Sequence, residues 1–157
     1  MNRRTAPVDT LMGTLFEEIT GEVRSAVRAV LADTDPRLAL AARRAVSSGL
    51  DVLLAVPVKG HFVAAAQSAG GPVATQRARA TDDLAAIVEA GRHAQGVEAT
   101  PVSAQQARVA AIGAVGAALR IIDSRLGGEI DVRRDEAVTW STAAALAVLA
   151  AVTSERP

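Results

Sequence analysis

The chain has 157 residues, of which 50% are hydrophobic and only 2% aromatic, with 17 basic and 17 acidic residues and no cysteine. This length is typical of one domain with a substantial core. The balanced charge argues against a nucleic-acid-binding surface, which normally has a basic excess. The lack of cysteine excludes disulfides, cysteine–zinc sites and thiol nucleophiles.

The spacing of apolar residues predicts an all-α fold of about six helices, because no alternating β-branched run indicates a strand. The expected helices, in chain order, cover residues 9–32, 36–56, 59–68, 72–92, 103–126 and 133–153. Asp35 and Pro36 should begin the second helix and Pro57 should end it, while Ser103 should cap the fifth. Residues 1–8 are expected to be a disordered lead-in, and residues 9–157 a single helical domain.

The last two helices are the most apolar part of the chain. Gly127 and Gly128 should end the fifth helix, because glycine readily adopts the left-handed conformation of a helix C-terminus. The sixth contains no charged residue from 137 to 152, and a helix that is apolar on every side must be buried on every side. A second copy of the same pair would bury both helices, so the sequence predicts a dimeric four-helix bundle.

The fifth helix has a bulky apolar face and an adjacent face of small residues, which would let helices of two copies approach closely. The total buried area is expected to exceed about 1,200 Å². Trp140 fits the dimer core or the base of a pocket equally well. The predicted interface residues are Ala107, Ala110, Ala114, Ala117, Ala118, Ile121, Trp140, Leu146 and Leu149.

The uncharged run in the sixth helix is shorter than the roughly 18–20 residues that span a bilayer, and it contains Thr139, Ser141 and Thr142. The N-terminus lacks the apolar segment of a secretory signal. We therefore expect a cytoplasmic protein without membrane contact.

These helix lengths and breaks resemble the C-terminal regulatory domain of TetR/AcrR-family transcriptional regulators. Residues 9–19 look like the start of that family's connecting helix, and residues 37–56 like its central helix. Residues 72–91 look like the helix before an irregular loop, and residues 102–152, with the break at Leu126-Gly127-Gly128, like the dimerising pair. The resemblance implies a homodimeric domain that binds a small apolar molecule.

The family's DNA-binding domain precedes the connecting helix, and only about eight residues do so here. Its DNA-binding residues therefore have no matching positions, and we expect no DNA binding by this chain alone. One alternative is a stand-alone protein that heterodimerises with a full-length regulator. An enzyme on the same fold is a further alternative.

In the resembling family the helical core is hollow. Few aromatics and many alanines fit a hollow core, and they fit close helix packing equally well. His61, next to Phe62, is expected at the lip of the pocket. The predicted ligand-binding residues are Phe16, Val23, Leu50, Leu54, His61, Phe62, Leu84, Val88, Val115 and Leu119.

The polar residues form no catalytic or metal-binding pattern. His61 and His93 lack a metal-ligand spacing, and no Gly-x-Ser-x-Gly segment indicates a nucleophile. Asp51 is expected to be solvated, and so are the arginines at 77, 79 and 92. We therefore expect no metal, no cofactor and no enzymatic activity.

Overall fold

The computed structural model of the chain describes residues 5–33, 37–66, 69–94 and 103–154. All regular structure in these ranges is helical, which confirms the all-α class and the six helices. The helices are α1 (Thr5–Ala32), α2 (Leu38–Ala55), α3 (Pro57–Ala66), α4 (Gly71–Ala94), α5 (Ala104–Leu126) and α6 (Arg134–Ser154).

Most helix ends lie within two residues of their predicted positions, with two differences. Helix α1 begins at Thr5, so residues 5–8 belong to it and not to a disordered lead-in. Pro57 ends α2 as predicted but also begins α3, because proline fits the first turn of a helix. The two helices are bent by 106° at this break. The predicted caps Asp35 and Pro36 lie outside the described residues.

Both ends of α5 have the predicted stop and start residues. The Ser103 hydroxyl accepts a hydrogen bond from the Gln106 backbone N–H (3.1 Å), and the Gln106 side chain accepts one from the Ser103 N–H (3.0 Å). This reciprocal pair is a capping box. At the other end, the Gly127 N–H donates to the Asp123 carbonyl at 2.8 Å, and Gly128 is left-handed with a φ of 73°.

The five longer helices form a closed ring. Helix α1 packs on α2, α2 on α6, α6 on α5, α5 on α4, and α4 again on α1. Short α3 contacts α1, α2 and α5, and a Cβ on its Gly60 would lie 3.0 Å from Leu126 at the C-terminal end of α5. Helix α3 therefore covers one end of the ring.

A bidentate ion pair joins α2 to α6 on the outside of this ring. The Arg134 guanidinium donates to both oxygens of the exposed Asp51 carboxylate, each at 2.7 Å, and also to the Ser47 hydroxyl at 2.6 Å. Asp51 is therefore paired as well as solvated.

Helices α5 and α6 pack closely along a seam of small residues. A Cβ on Gly113 would lie only 2.8 Å from Val148 Cγ1. Four of the residues predicted to contact a second copy are instead buried inside the single chain. Ala110, Ala114, Ala118 and Leu149 form one cluster with Ala145. The small-residue face of α5 is thus used against its own α6, and that part of the predicted interface is wrong.

The other predicted interface residues lie nearer the surface. Ala107, Ala117, Ile121 and Leu146 are half-buried, and Trp140 is 49% exposed. Among the described helices, α6 is long and apolar enough from Arg134 to Val152 to cross a membrane, and the bent pair of α2 and α3 also passes that test when taken together.

Candidate functional site: an apolar cavity inside the helix ring

The ring surrounds a cavity of about 120 Å³ that is partly open to solvent. Each of the five long helices lines it, whereas no residue of α3 does. Its space arises where four helices present alanine or glycine to the centre, because these residues have little or no side chain to fill the volume between helices. These small lining residues include Ala45 and Gly49 of α2, Ala114 and Ala118 of α5, and Ala145 of α6.

The structure brings half of the predicted ligand-binding residues together in this lining. Val23 comes from α1, Leu84 and Val88 from α4, and Val115 and Leu119 from α5. Whether they contact a ligand stays a prediction, but they do face one common space.

The other five predicted residues lie outside the cavity. Phe16 and Leu50 are 2% and 0% exposed and belong to solid core clusters. Phe62 packs against both clusters from α3, and Leu54 packs against the larger one. These bulky side chains fill the interior and leave no space for a ligand. His61 is exposed, and its Nδ1–H donates to the Pro57 carbonyl at 2.8 Å.

Arg92 is the residue that the sequence reasoning missed. Among the described residues that line the cavity it is the only charged one. Its Nε is buried and has no hydrogen-bond partner in the described part of the chain. A signal was present in the sequence, since Leu84, Val88 and Arg92 are spaced four residues apart and therefore share one face of α4. Arg92, which was predicted to be solvated, is half-buried, and its Nε is enclosed.

Arg92 lies at the end of the ring that is opposite α3. It is near the C-terminus of α4, and the neighbouring Gly91 packs against Leu31 at the C-terminal end of α1, where an added Cβ would lie 3.4 Å from the leucine. Leu38, at the start of α2, lines the same region. The cavity thus has a packed end beneath α3 and an opposite end that Arg92 borders.

Two carboxylates near this end of the ring form ion pairs with other arginines. Glu89, one turn before Arg92, lies 3.8 Å from Arg108. Asp33, just after α1, lies 3.7 Å from Arg44. The titratable group with the largest shift is elsewhere: burial raises the pKa of Asp123, near the C-terminus of α5, to about 6 against the opposing charges of Arg77 and Arg120.

No group of three or more histidine, aspartate or glutamate side chains in the described ranges could hold a metal ion. The side chain of His93 lies outside the described residues, so this finding does not cover it. Arg77 is half-buried and donates to the Ala66 carbonyl at 3.3 Å, while Arg79 is exposed, as predicted.

The opposite side of α5 and α6 forms an exposed apolar surface, here called the outer face. On α5 it consists of Val109, Ile112 and Gly116, and on α6 of Trp140, Ala143 and Ala147. Val109 is 53% and Ile112 is 37% exposed. The seam between Gly113 and Val148 borders both rows, so the rows join into one surface.

Fold and cavity together define an all-helical protein that encloses a small apolar space with one arginine at its end. No protein-family model, curated protein or solved structure matches the chain. The likeness to the TetR/AcrR regulatory domain thus stays a resemblance in helix lengths and breaks.

Proposed function

We propose that the chain is a ligand-binding and homodimerisation domain of the TetR/AcrR regulatory type, which senses a small, largely apolar molecule. The cavity inside the ring carries this proposal. Its volume of about 120 Å³ is close to the ~150 Å³ of an engineered apolar cavity that binds benzene. The buried part of the ligand should therefore be about five or six carbon atoms.

Binding is favoured over catalysis by the chemistry of the lining. Proton-transfer catalysis needs a group that gains and loses a proton near neutral pH. The only ionisable lining residue among those described is Arg92, and an arginine side chain stays protonated in proteins. Such a site can hold and orient a molecule, but it lacks an acid–base pair to transform one.

The outer face supports the dimerisation half of the proposal, with a second copy of the chain as its occupant. Its centre carries no charge, while Gln105, Arg120 and Glu136 lie at its ends. A charge-depleted core with a polar rim is typical of protein interfaces, and tryptophan is enriched in them; Trp140 lies near the Glu136 end of this face. Counted with its polar ends, from Gln105 to Arg120 on α5 and over the same length of α6, the surface measures roughly 24 Å by 20 Å, or about 1,000 Å² for two copies. That area is at the small end of specific interfaces.

Thermal melting with small apolar probes tests the ligand-binding half. Benzene or 1-hexanol at 100 times its dissociation constant should raise the free energy of unfolding by about 2.7 kcal/mol. Ala118→Leu adds carbon atoms to the cavity and should abolish this shift, whereas Ala29→Leu on the exposed side of α1 should preserve it. Absence of any shift, or an equal shift in Ala118→Leu, would count against a ligand site here.

Sedimentation velocity from nanomolar to high micromolar concentration tests dimerisation. Ala143→Arg should leave the monomer folded, because Ala143 is exposed, but it should dissociate the dimer by placing a charge in an apolar interface. Ala29→Arg is the matched control and should still dimerise. Ala114→Arg is unsuitable, because Ala114 is only 2% exposed within one chain and the arginine would unfold the protein.

Trp140 supplies an independent signal for the same equilibrium. It is the only tryptophan of the chain and is 49% exposed in the isolated copy, so its emission should shift to shorter wavelength as the protein is concentrated. A monomer at every concentration would refute the proposed dimer. Binding to phosphatidylcholine vesicles in place of dimerisation would reassign the outer face to a membrane.

A further inference from the structure

The wall of the cavity is almost entirely carbon. Every described lining residue except Arg92 is aliphatic or glycine. These residues lie in helices, so most of their backbone N–H and C=O groups are used in the helices' own hydrogen bonds. Arg92 does not change this, because its Nε is enclosed by protein atoms and almost no nitrogen or oxygen surface of the described residues faces the cavity. A molecule in the cavity therefore finds carbon contacts and practically no hydrogen-bond partner.

This wall disfavours any ligand that carries a polar atom. A hydroxyl, amine or carbonyl group gives up hydrogen bonds to water when it enters, and a carbon wall offers none in return. The loss should weaken binding about tenfold or more for each such group. A hydrocarbon has no hydrogen bonds to lose, and it gains close contacts with the wall. The cavity should therefore distinguish molecules of equal size by their polarity.

We infer that the cavity selects an unsubstituted hydrocarbon of about five or six carbon atoms and rejects molecules of the same shape that carry oxygen or nitrogen. This inference rests on the proposed ligand-binding function and specifies its ligand class. The size limit follows from the volume of about 120 Å³, compared with ~150 Å³ for a cavity that binds benzene. A sensor of this kind distinguishes a hydrocarbon from the alcohol that its oxidation would give.

Benzene and pyridine are matched probes of this selectivity, because a ring nitrogen replaces one C–H group with almost no change in shape. Calorimetric titration of the full chain at mildly alkaline pH, where pyridine is uncharged, compares their dissociation constants. Benzene should bind about tenfold or more tightly than pyridine. Equal affinity, or tighter binding of pyridine, would mean that the nitrogen finds a partner at the opening or in the wall, and the hydrocarbon assignment would be wrong.

A hydrogen-bond donor added to the wall should reduce the selectivity. Leu119 lines the cavity and is half-buried, so Leu119→Gln places an amide N–H there on a side chain that still reaches solvent. The variant should bind pyridine more tightly and benzene more weakly than the wild type does. Leu11→Gln, at a position of α1 that is 68% exposed, is the matched control and should keep the wild-type ratio. An unchanged ratio in Leu119→Gln would contradict the inference that a missing partner sets the selectivity.

Failure of the ligand-binding function is distinguishable from failure of this inference alone. If neither probe binds the wild type, the ligand-binding function is overturned together with the inference. If both probes bind with equal affinity, the cavity is a ligand site without a preference for hydrocarbons, and only the inference is overturned. Should Leu119→Gln fail to fold, Leu84→Gln on α4 gives the same comparison, because Leu84 also lines the cavity and is half-buried.

Discussion

Three glycines inside helices, each replaced by alanine, test how tightly the helices pack around these positions. Replacing glycine by alanine in a helix interior stabilises the helix by about 1 kcal/mol before any contact of the added methyl group is counted. Gly21 of α1 is the reference, because a Cβ there would meet only the flexible end of Arg24, at 3.7 Å. For a chain of 157 residues, Gly21→Ala should raise Tm by about 2–4 °C.

Gly49→Ala and Gly113→Ala should depart from this reference in opposite directions. At Gly49 a Cβ would lie 3.4 Å from Val23 and 3.5 Å from Val27, so the methyl group gains about 0.8 kcal/mol from burial beside the cavity. At Gly113 the Cβ would lie 2.8 Å from Val148. Because valine is stiff about χ1, this overpacking should cost about 1–3 kcal/mol.

From highest to lowest, the expected order of Tm is therefore Gly49→Ala, Gly21→Ala and wild type. Gly113→Ala should have a Tm equal to or below that of the wild type. Circular dichroism melts at one low protein concentration measure all four chains. If Gly113→Ala were as stable as Gly21→Ala, the close seam between α5 and α6 would be absent. If Gly49→Ala gained no more than the reference, the free volume beside α2 would be absent.

Three further predictions concern charge and unsatisfied groups. The pKa of Asp123 is raised from 3.8 to about 6, so ionisation of this carboxyl group opposes folding. The protonated carboxyl therefore favours the folded state at acid pH, and this contribution is lost as pH rises between about 4 and 6. Asp123→Asn should accordingly be more stable than the wild type by about 2 kcal/mol at pH 7 and equally stable near pH 4, as measured by urea denaturation; an equal difference at both pH values would contradict this. Ser141 is fully buried with no partner for its hydroxyl among the described residues, so Ser141→Ala should raise the free energy of unfolding by about 1 kcal/mol in the same assay, and a loss of stability would reveal a partner. With a net charge of zero, the chain alone should not retard duplex DNA in a gel at physiological salt, and a band that survives competitor DNA would refute this.

The sequence predicted those features that depend on local residue chemistry. Helix ends at Ser103, Gly127 and Pro57 follow from capping and from restricted backbone angles, which neighbouring residues determine. The all-α class follows from periodicity. These predictions need no knowledge of which helix lies against which.

The sequence could not show which of two apolar faces points inward. On α5, Ala114 and Ile112 lie on different faces that are both apolar, so helical periodicity alone cannot assign one to the interior. The structure places Ala114 against α6 and leaves Ile112 exposed. Phe62 was predicted to contact ligand from the expected facing of its helix, but it packs against the filled core from α3.

Helix α5 has the cavity on one side, at Val115, Ala118 and Leu119, and the outer face on the other, at Ile112 and Gly116. One helix thus borders both the cavity and the outer face, the surfaces proposed to bind a ligand and a second copy. Any ligand that tightens or loosens dimerisation by some factor must, by thermodynamic reciprocity, have its own affinity changed by the same factor when the chain dimerises. Binding curves recorded below and above the dimerisation midpoint would then give two different dissociation constants, and their ratio would measure how strongly α5 couples the two surfaces.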